Sequence, residues 1–220
     1  MAIKRASMFL LDLLFPPRCV FCGRIIPPGQ KICVKCVNNI KPLYGMIRIN
    51  AGPLGKNIPC AVLYTYTDMV RESIIRFKFY GEKQNSVFYA KELSKQIYEF
   101  YGKTLIDIVT CVPISKERRK LRGYNQSELI ARGVSDAFDL PYADCLVKVK
   151  DNTEQHFLGK DERRLNVKGA YRLSGFDISD KNILLIDDIV TTGSTISECA
   201  KVLLAGGAKV YCAAIALAKL

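Results

Sequence analysis

Apolar positions change their spacing along the chain, and the changes predict a succession of strands and helices. Residues 61–66 form a short apolar run of strand length. Residues 69–79 place Val70, Ile74, Ile75 and Phe77 at helical spacing, and residues 85–101 do the same with Phe88, Leu93, Ile97 and Phe100. Residues 106–112 are mainly apolar, with Asp107 and Thr110 as the polar positions, and end at Pro113; they read as a buried strand. Residues 125–138 read as a helix and 142–149 as a strand. A second buried strand is expected at 183–186, then a helix at 195–204 stopped by Gly206 and Gly207, then a last strand at 210–217. Strands alternating with helices predict an α/β fold on a largely parallel sheet flanked by helices.

Two stretches break this rhythm. Residues 16–45 are rich in Cys, Pro and Gly and poor in periodicity, and 46–58 carry turn signals that read as a connection. The chain therefore divides near residue 45, into a small module (1–45) and an α/β domain (46–220). Residues 152–170 are polar and read as a long loop. At the amino end, Lys4 and Arg5 precede an apolar run from Met8 to Phe15. Asp12 interrupts that run, Pro16 and Pro17 follow, and no small-residue cleavage site appears. We read it as a short amphipathic helix packed on the protein rather than a secretory leader. No stretch approaches the ~18 apolar residues of a membrane span.

A hydrophobic fraction of 49% is ordinary for a globular chain and excludes a disordered one. Charge adds a sharper expectation. Lys and Arg number 33 against 21 Asp and Glu, a formal net charge of +12, which suits an anionic partner such as nucleic acid, a phosphorylated metabolite or an anionic membrane surface.

The nine cysteines are unevenly spread. Cys19, Cys22, Cys33 and Cys36 form two Cys-x2-Cys knuckles, a spacing that completes a tetrahedral sulfur shell. Structural Zn²⁺ is expected there, with an iron–sulfur cluster as the lesser alternative and a pair of disulfides as the plain one. Cys60, Cys111, Cys145, Cys199 and Cys212 are isolated, and an odd total forbids complete pairing. They read as buried reduced thiols, which points to a reducing compartment.

The most informative stretch is 183–195. A buried strand ends in two adjacent carboxylates, Asp187 and Asp188, and a loop of Thr191, Thr192, Gly193, Ser194 and Thr195 leads into a helix. Hydroxyls, backbone N–H groups and a helix amino terminus make a site for a phosphate monoester, and Gly193 lets backbone approach closely. The carboxylates suit vicinal hydroxyls, directly or through a metal. No Gly-Lys-Ser/Thr follows, so the loop is not a Walker A motif. Residues 185–195 resemble the phosphoribosyl-pyrophosphate (PRPP) signature of type I phosphoribosyltransferases. The resemblance implies that Asp187 and Asp188 hold the ribose hydroxyls and that Thr191–Thr195 cradle the 5′-phosphate.

Further segments narrow the family. Val112-Pro113 is followed by Arg118, Arg122-Gly-Tyr-Asn-Gln126, Leu129 and Ala131, and later by Gln155, Leu158, Arg163, Asn166 and Gly169-Ala-Tyr171. With the cysteine knuckles, this order resembles the ComF family of competence proteins, ComFC type, over nearly the whole chain. Tyr124 and Tyr171 stand where Phe is common. The resemblance implies a type I phosphoribosyltransferase-like domain with PRPP and Mg²⁺, and places Arg118 and Arg122 on the pyrophosphate loop, where forked donors suit phosphate oxygens. It implies a cytoplasmic protein, at the inner face of the membrane in one variant, that handles incoming single-stranded DNA in natural transformation. Partners of the kind implied are the ComFA ATPase and DprA.

Several residues carry two readings. Arg119 and Lys120 belong either to the pyrophosphate loop or to a solvated basic turn. The 152–170 loop, with Lys160, Arg163 and Arg164, is either a lid or a surface loop packed on the zinc module. His156, the single histidine, reads as a surface residue before a catalytic one. The helix at 70–79, with Arg71, Arg76 and Lys78, reads as a packing helix rather than a binding element. For function as a whole, a non-catalytic PRPP-sensing and DNA-binding module and a nucleobase-salvage transferase stand as alternatives to a transferase-like competence protein.

Overall fold

The computed structural model describes residues 14–55, 57–102, 105–150 and 167–218. The amino-terminal helix expected before Pro16 falls almost wholly outside them. So does most of the 152–170 loop, with Gln155, His156, Leu158, Lys160, Arg163, Arg164 and Asn166.

The main sheet has five strands: β1 (Gly45–Ile49), β2 (Ile58–Thr65), β3 (Ile108–Cys111), β6 (Asn182–Val190) and β7 (Lys209–Leu217). Their spatial order is β1-β2-β7-β6-β3. β2, β7, β6 and β3 are mutually parallel, and β1 runs antiparallel at the edge. β6 has a run of five consecutive buried residues, which requires cover on both faces. On one face, Leu184 and Ile186 meet α2 (Asp68–Phe79), α3 (Asn85–Tyr101) and α5 (Gln126–Phe138), through Ile74, Leu93, Ile97 and Ile130. On the other, Ile183 and Leu185 meet α6 (Ser194–Ala205), through Ile196, Cys199 and Leu203. Gly133 allows α3 and α5 to approach closely, because a Cβ there would sit 2.6 Å from that of Ala90.

Three expectations change. The connection read at 46–58 contains β1, paired with β2 from Gly45↔Val62 to Ile49↔Ile58. Met46 and Arg48 face solvent while Ile47 and Ile49 turn inward, a two-residue alternation hidden beside Asn50, Gly52, Pro53 and Gly55. The strand read at 142–149 shortens to β4 (Leu146–Lys148), which leaves the main sheet and pairs antiparallel with β5 (Tyr171–Leu173). Finally, the basic segment after β3, read as a loop, is a helix, α4 (Lys116–Arg122). Ser115 caps it by accepting from the Arg118 N–H at 3.3 Å, and Gly123 ends it in the left-handed conformation, φ 76°.

The cysteine module is built on the same core. Its first knuckle carries Phe21, which packs edge-to-face on Tyr64 at 5.4 Å and Phe88 at 5.7 Å. α1 (Val34–Asn39) begins directly after Cys33.

β3 and β6 are neighbours, yet the chain leaves them in opposite directions. After β3 it passes to α5 on one face, and after β6 to α6 on the other. A crevice opens at the carboxyl ends of two such strands, the usual ligand position in an open α/β sheet.

Candidate phosphate and ribose site

Asp187 and Asp188 lie at that crevice, on the carboxyl-terminal part of β6. The Val112 N–H donates to Ile186 O at 2.9 Å, so β3 ends alongside them. Asp187 is buried, 7% exposed. Its Oδ1 accepts from Ser127 Oγ at 3.1 Å and from the Asp188 N–H at 2.8 Å. Burial, reinforced by the neighbouring Asp188 charge, pushes its carboxyl up to about 7 against the opposing pull of the Asp188 N–H, Lys78 and Ser127. Asp188 is engaged differently. Lys78 Nζ lies 2.9 Å from its Oδ1 and 2.8 Å from its Oδ2.

The hydroxyl loop follows at once. Gly193 takes φ 74°, a left-handed turn that an L side chain rarely adopts, and α6 starts behind it. Thr192 Oγ1 and Ser194 Oγ lie 2.8 Å apart and share a hydrogen bond. Amides of the first turn of a helix have no intrahelical acceptor, so this end of α6 offers N–H donors to an anion. Asp187, Thr191, Gly193, Ser194 and Thr195 line a small recess. Beside it opens a cavity of about 360 Å³ whose polar walls include Thr192, Ser194, Arg48, Asn50 and Lys201.

Arg118 and Arg122 stand four residues apart on α4, where they share a face and are half-buried, while Arg119 and Lys120 are exposed. Arg119 pairs with Glu128 at 2.8 Å. The Arg122 guanidinium lies 4.7 Å from the Phe79 ring centre, and its Nη1 reaches Gln126 Oε1 at 3.4 Å.

The segment Arg122-Gly-Tyr-Asn-Gln126 braces the crevice. Asn125 Nδ2 donates to Val112 O at 3.0 Å, and its Oδ1 caps α5 by accepting from the Ser127 N–H at 3.1 Å. That cap sets Ser127 against Asp187. The Tyr124 hydroxyl donates to Phe77 O and so holds the end of α2. Gln126 Nε2 reaches Lys78 O at 3.5 Å. The 70–79 helix does pack, through Val70, Ile74 and Phe77, but it also delivers Lys78 to the acidic pair. Lys78 and Ser127 lie 110 and 60 residues from their carboxylate partners, and no local signal in the sequence singles them out.

The Sγ atoms of Cys19, Cys22, Cys33 and Cys36 all lie within 4.8 Å of one another, with Cys22 and Cys33 at 3.7 Å. A tetrahedral ZnS4 centre with Zn–S near 2.3 Å requires S···S separations of about 3.8 Å. The Cys36 N–H, ahead of other contacts, draws the Cys33 thiol down to about 7, whereas burial pushes the Cys22 and Cys36 thiols up. The cluster fits a closed structural zinc site. Cys60, Cys111, Cys145, Cys199 and Cys212 are buried free thiols, as expected.

Two segments of the chain match known domain families. Residues 10–47 match the double zinc ribbon domain and 124–219 the phosphoribosyl transferase domain. Competence protein F of Haemophilus influenzae is 32% identical over 197 residues, which cover 85% of this chain and 78% of that protein. The chain belongs to the ComF family. Competence protein ComFC of Bacillus subtilis is a further relative, 28% identical over 203 residues, or 83% of this chain and 82% of that one. The fold of this ComF chain is type I phosphoribosyltransferase-like, with a four-cysteine zinc ribbon at its amino end. Among solved structures, the glutamine PRPP amidotransferase of B. subtilis matches at a TM-score of 0.43 and 19% identity. That match covers 64% of this chain and 30% of the enzyme. No helix among the described residues is long and apolar enough to cross a membrane.

Proposed function

We propose that this ComF chain binds PRPP at the β3–β6 crevice and serves DNA handling in competence. One observation carries the reading: a buried, oriented carboxylate and its neighbour sit directly before a hydroxyl-rich turn at a helix amino terminus, on the carboxyl edge of a parallel sheet.

The residues divide the ligand between them. Among the described residues, the hydrogen bonds to Asp187 fall on Oδ1, so its Oδ2 would accept from ligand hydroxyls, with Asp188 as the second acceptor for the ribose. Thr191, Thr192, Gly193, Ser194 and Thr195 take the 5′-phosphate. Arg118 and Arg122 take the pyrophosphate, as paired forked donors on one face of α4. The carboxylates and the ligand's own phosphates are hard oxygen donors of the kind Mg²⁺ prefers, so the donor set fits the ion. Bound there, Mg²⁺ would neutralise charge on the pyrophosphate. In a transfer reaction the fixed acidic pair would hold the ribose while positive charge develops at its anomeric carbon.

The competence role follows the names of the two relatives, and the net charge of +12 leaves basic surface for single-stranded DNA beyond the crevice. Partners resembling ComFA and DprA, and a cytoplasmic setting, belong to the same reading.

Calorimetric titration with PRPP and Mg²⁺ tests it. The wild type is expected to bind, and D187N/D188N to lose affinity tenfold or more. Absence of binding to the wild type, or equal binding by the variant, overturns the reading. Pyrophosphate release across a panel of nucleobases then separates a transferase from a sensing module.

A further inference from the structure

Lys78 closes the last turn of α2 with its ammonium on both oxygens of Asp188, at 2.9 and 2.8 Å. Both side chains are shielded, 19% and 13% exposed. The lysine is held from behind. Phe77 is fully buried, the Tyr124 hydroxyl grips the Phe77 carbonyl, and Gln126 reaches the carbonyl of Lys78 itself. A cation seated across a carboxylate in this way occupies both of the oxygens that Asp188 would offer a divalent metal. A second cation approaching Asp188 meets like-charge repulsion in a partly dehydrated site, where screening is weak.

We propose that Lys78 is a resident counter-ion that keeps the acidic pair from taking up a free divalent cation, so that the pair stays open to a ligand's hydroxyls and the metal enters only as the complex of a diphosphate ligand. The diphosphate rests on the PRPP reading, whereas the exclusion of free metal stands on the ion pair alone. The lysine thereby acts as a specificity-determining residue: the site selects a ligand that brings its own metal.

Mn²⁺ binding, read from the free-ion paramagnetic resonance signal, tests this on the full zinc-loaded chain without PRPP. The wild type is expected to bind Mn²⁺ only at millimolar concentrations. Lys78→Met is expected to bind one ion with at least tenfold higher affinity, Lys78→Arg to behave as the wild type, and Asp188→Asn in the Lys78→Met background to abolish the gain. A gain below tenfold, or one that survives Asp188→Asn, overturns the proposal. So does micromolar Mn²⁺ binding by the wild type, which needs no variant to fold. A PRPP titration on the same preparations keeps the two ideas apart. Failure of the wild type to bind PRPP removes the PRPP reading and leaves the metal exclusion standing. Normal PRPP binding with unchanged Mn²⁺ affinity in Lys78→Met removes the role of Lys78 alone.

Discussion

Asp187 combines burial, a charged neighbour and two hydrogen bonds donated to it, and the first two win: they push its carboxyl up to about 7, well above the usual carboxylate range. Its folded-state affinity for a proton is therefore raised above that of the unfolded chain. Between about pH 4 and about pH 7 the native state holds a proton that the unfolded state has released, so this group's contribution to stability falls as pH rises through that window. Asn preserves an oxygen acceptor for Ser127 and for the Asp188 N–H but carries no charge. Asp187→Asn is thus expected to melt higher than the wild type at pH 8, with the difference closing toward pH 4. Parallel melting profiles for the two proteins across that range would count against this account. A carboxylate that costs stability when ionised is characteristic of a position kept for ligand contact rather than for folding.

At the scale of elements, α2 is the strut between the two halves of the molecule. Arg76 Nη2 donates to Val20 O at 2.8 Å and Phe21 O at 2.9 Å, inside the first cysteine knuckle, and its Nε pairs with Glu82 at 3.2 Å. Ser73 Oγ donates to Val20 O at 2.6 Å and shares a bond with the buried Tyr89 hydroxyl. Two residues beyond Arg76, Lys78 meets Asp188. Removing zinc frees the knuckle backbone that receives Arg76, so chelation is expected to loosen α2. Loss of two charge-assisted bonds of roughly 1.5–3 kcal/mol each corresponds to a melting point lower by on the order of 10 °C for a chain of this size, with faster amide exchange along α2. An unchanged melting point after complete zinc removal would refute the strut. The elements themselves differ in how plainly they can be read. α2, α3 and α5 are long and periodic, and the sequence predicts each within a residue or so. β1 is missed because glycine and proline beside it outweigh a short alternation, and α4 because consecutive Lys and Arg look like solvated loop. In α4 the cap at Ser115 and the helix-favouring long side chains decide the conformation. β4 keeps only three of the eight residues expected at 142–149, because its partner, β5, lies beyond a long intervening segment and is invisible to local spacing.

The whole molecule explains which parts of the site are legible. Asp187, Asp188 and the 191–195 loop are contiguous, so strand, turn and helix signals reinforce each other. The cysteine cluster is legible for the same reason, as two short knuckles with metal spacing. Lys78 and Ser127 reach the crevice only through the sheet order β1-β2-β7-β6-β3, which brings the end of α2 and the start of α5 to the end of β6. The excess positive charge divides along the same lines: Lys78 pairs with Asp188, Arg118 and Arg122 are half-buried on α4, and Arg119 and Lys120 face solvent. The central claim is that this crevice holds a ribose 5-phosphate group by the acidic pair and the hydroxyl loop. A crystal structure of the protein soaked with PRPP and Mg²⁺ tests it most directly. The account predicts the 5′-phosphate within hydrogen-bond distance of the 191–195 backbone and hydroxyls, and the ribose hydroxyls on Asp187 and Asp188. A ligand bound elsewhere, or a crevice that stays empty with the Lys78–Asp188 pair intact at saturating PRPP, would contradict it.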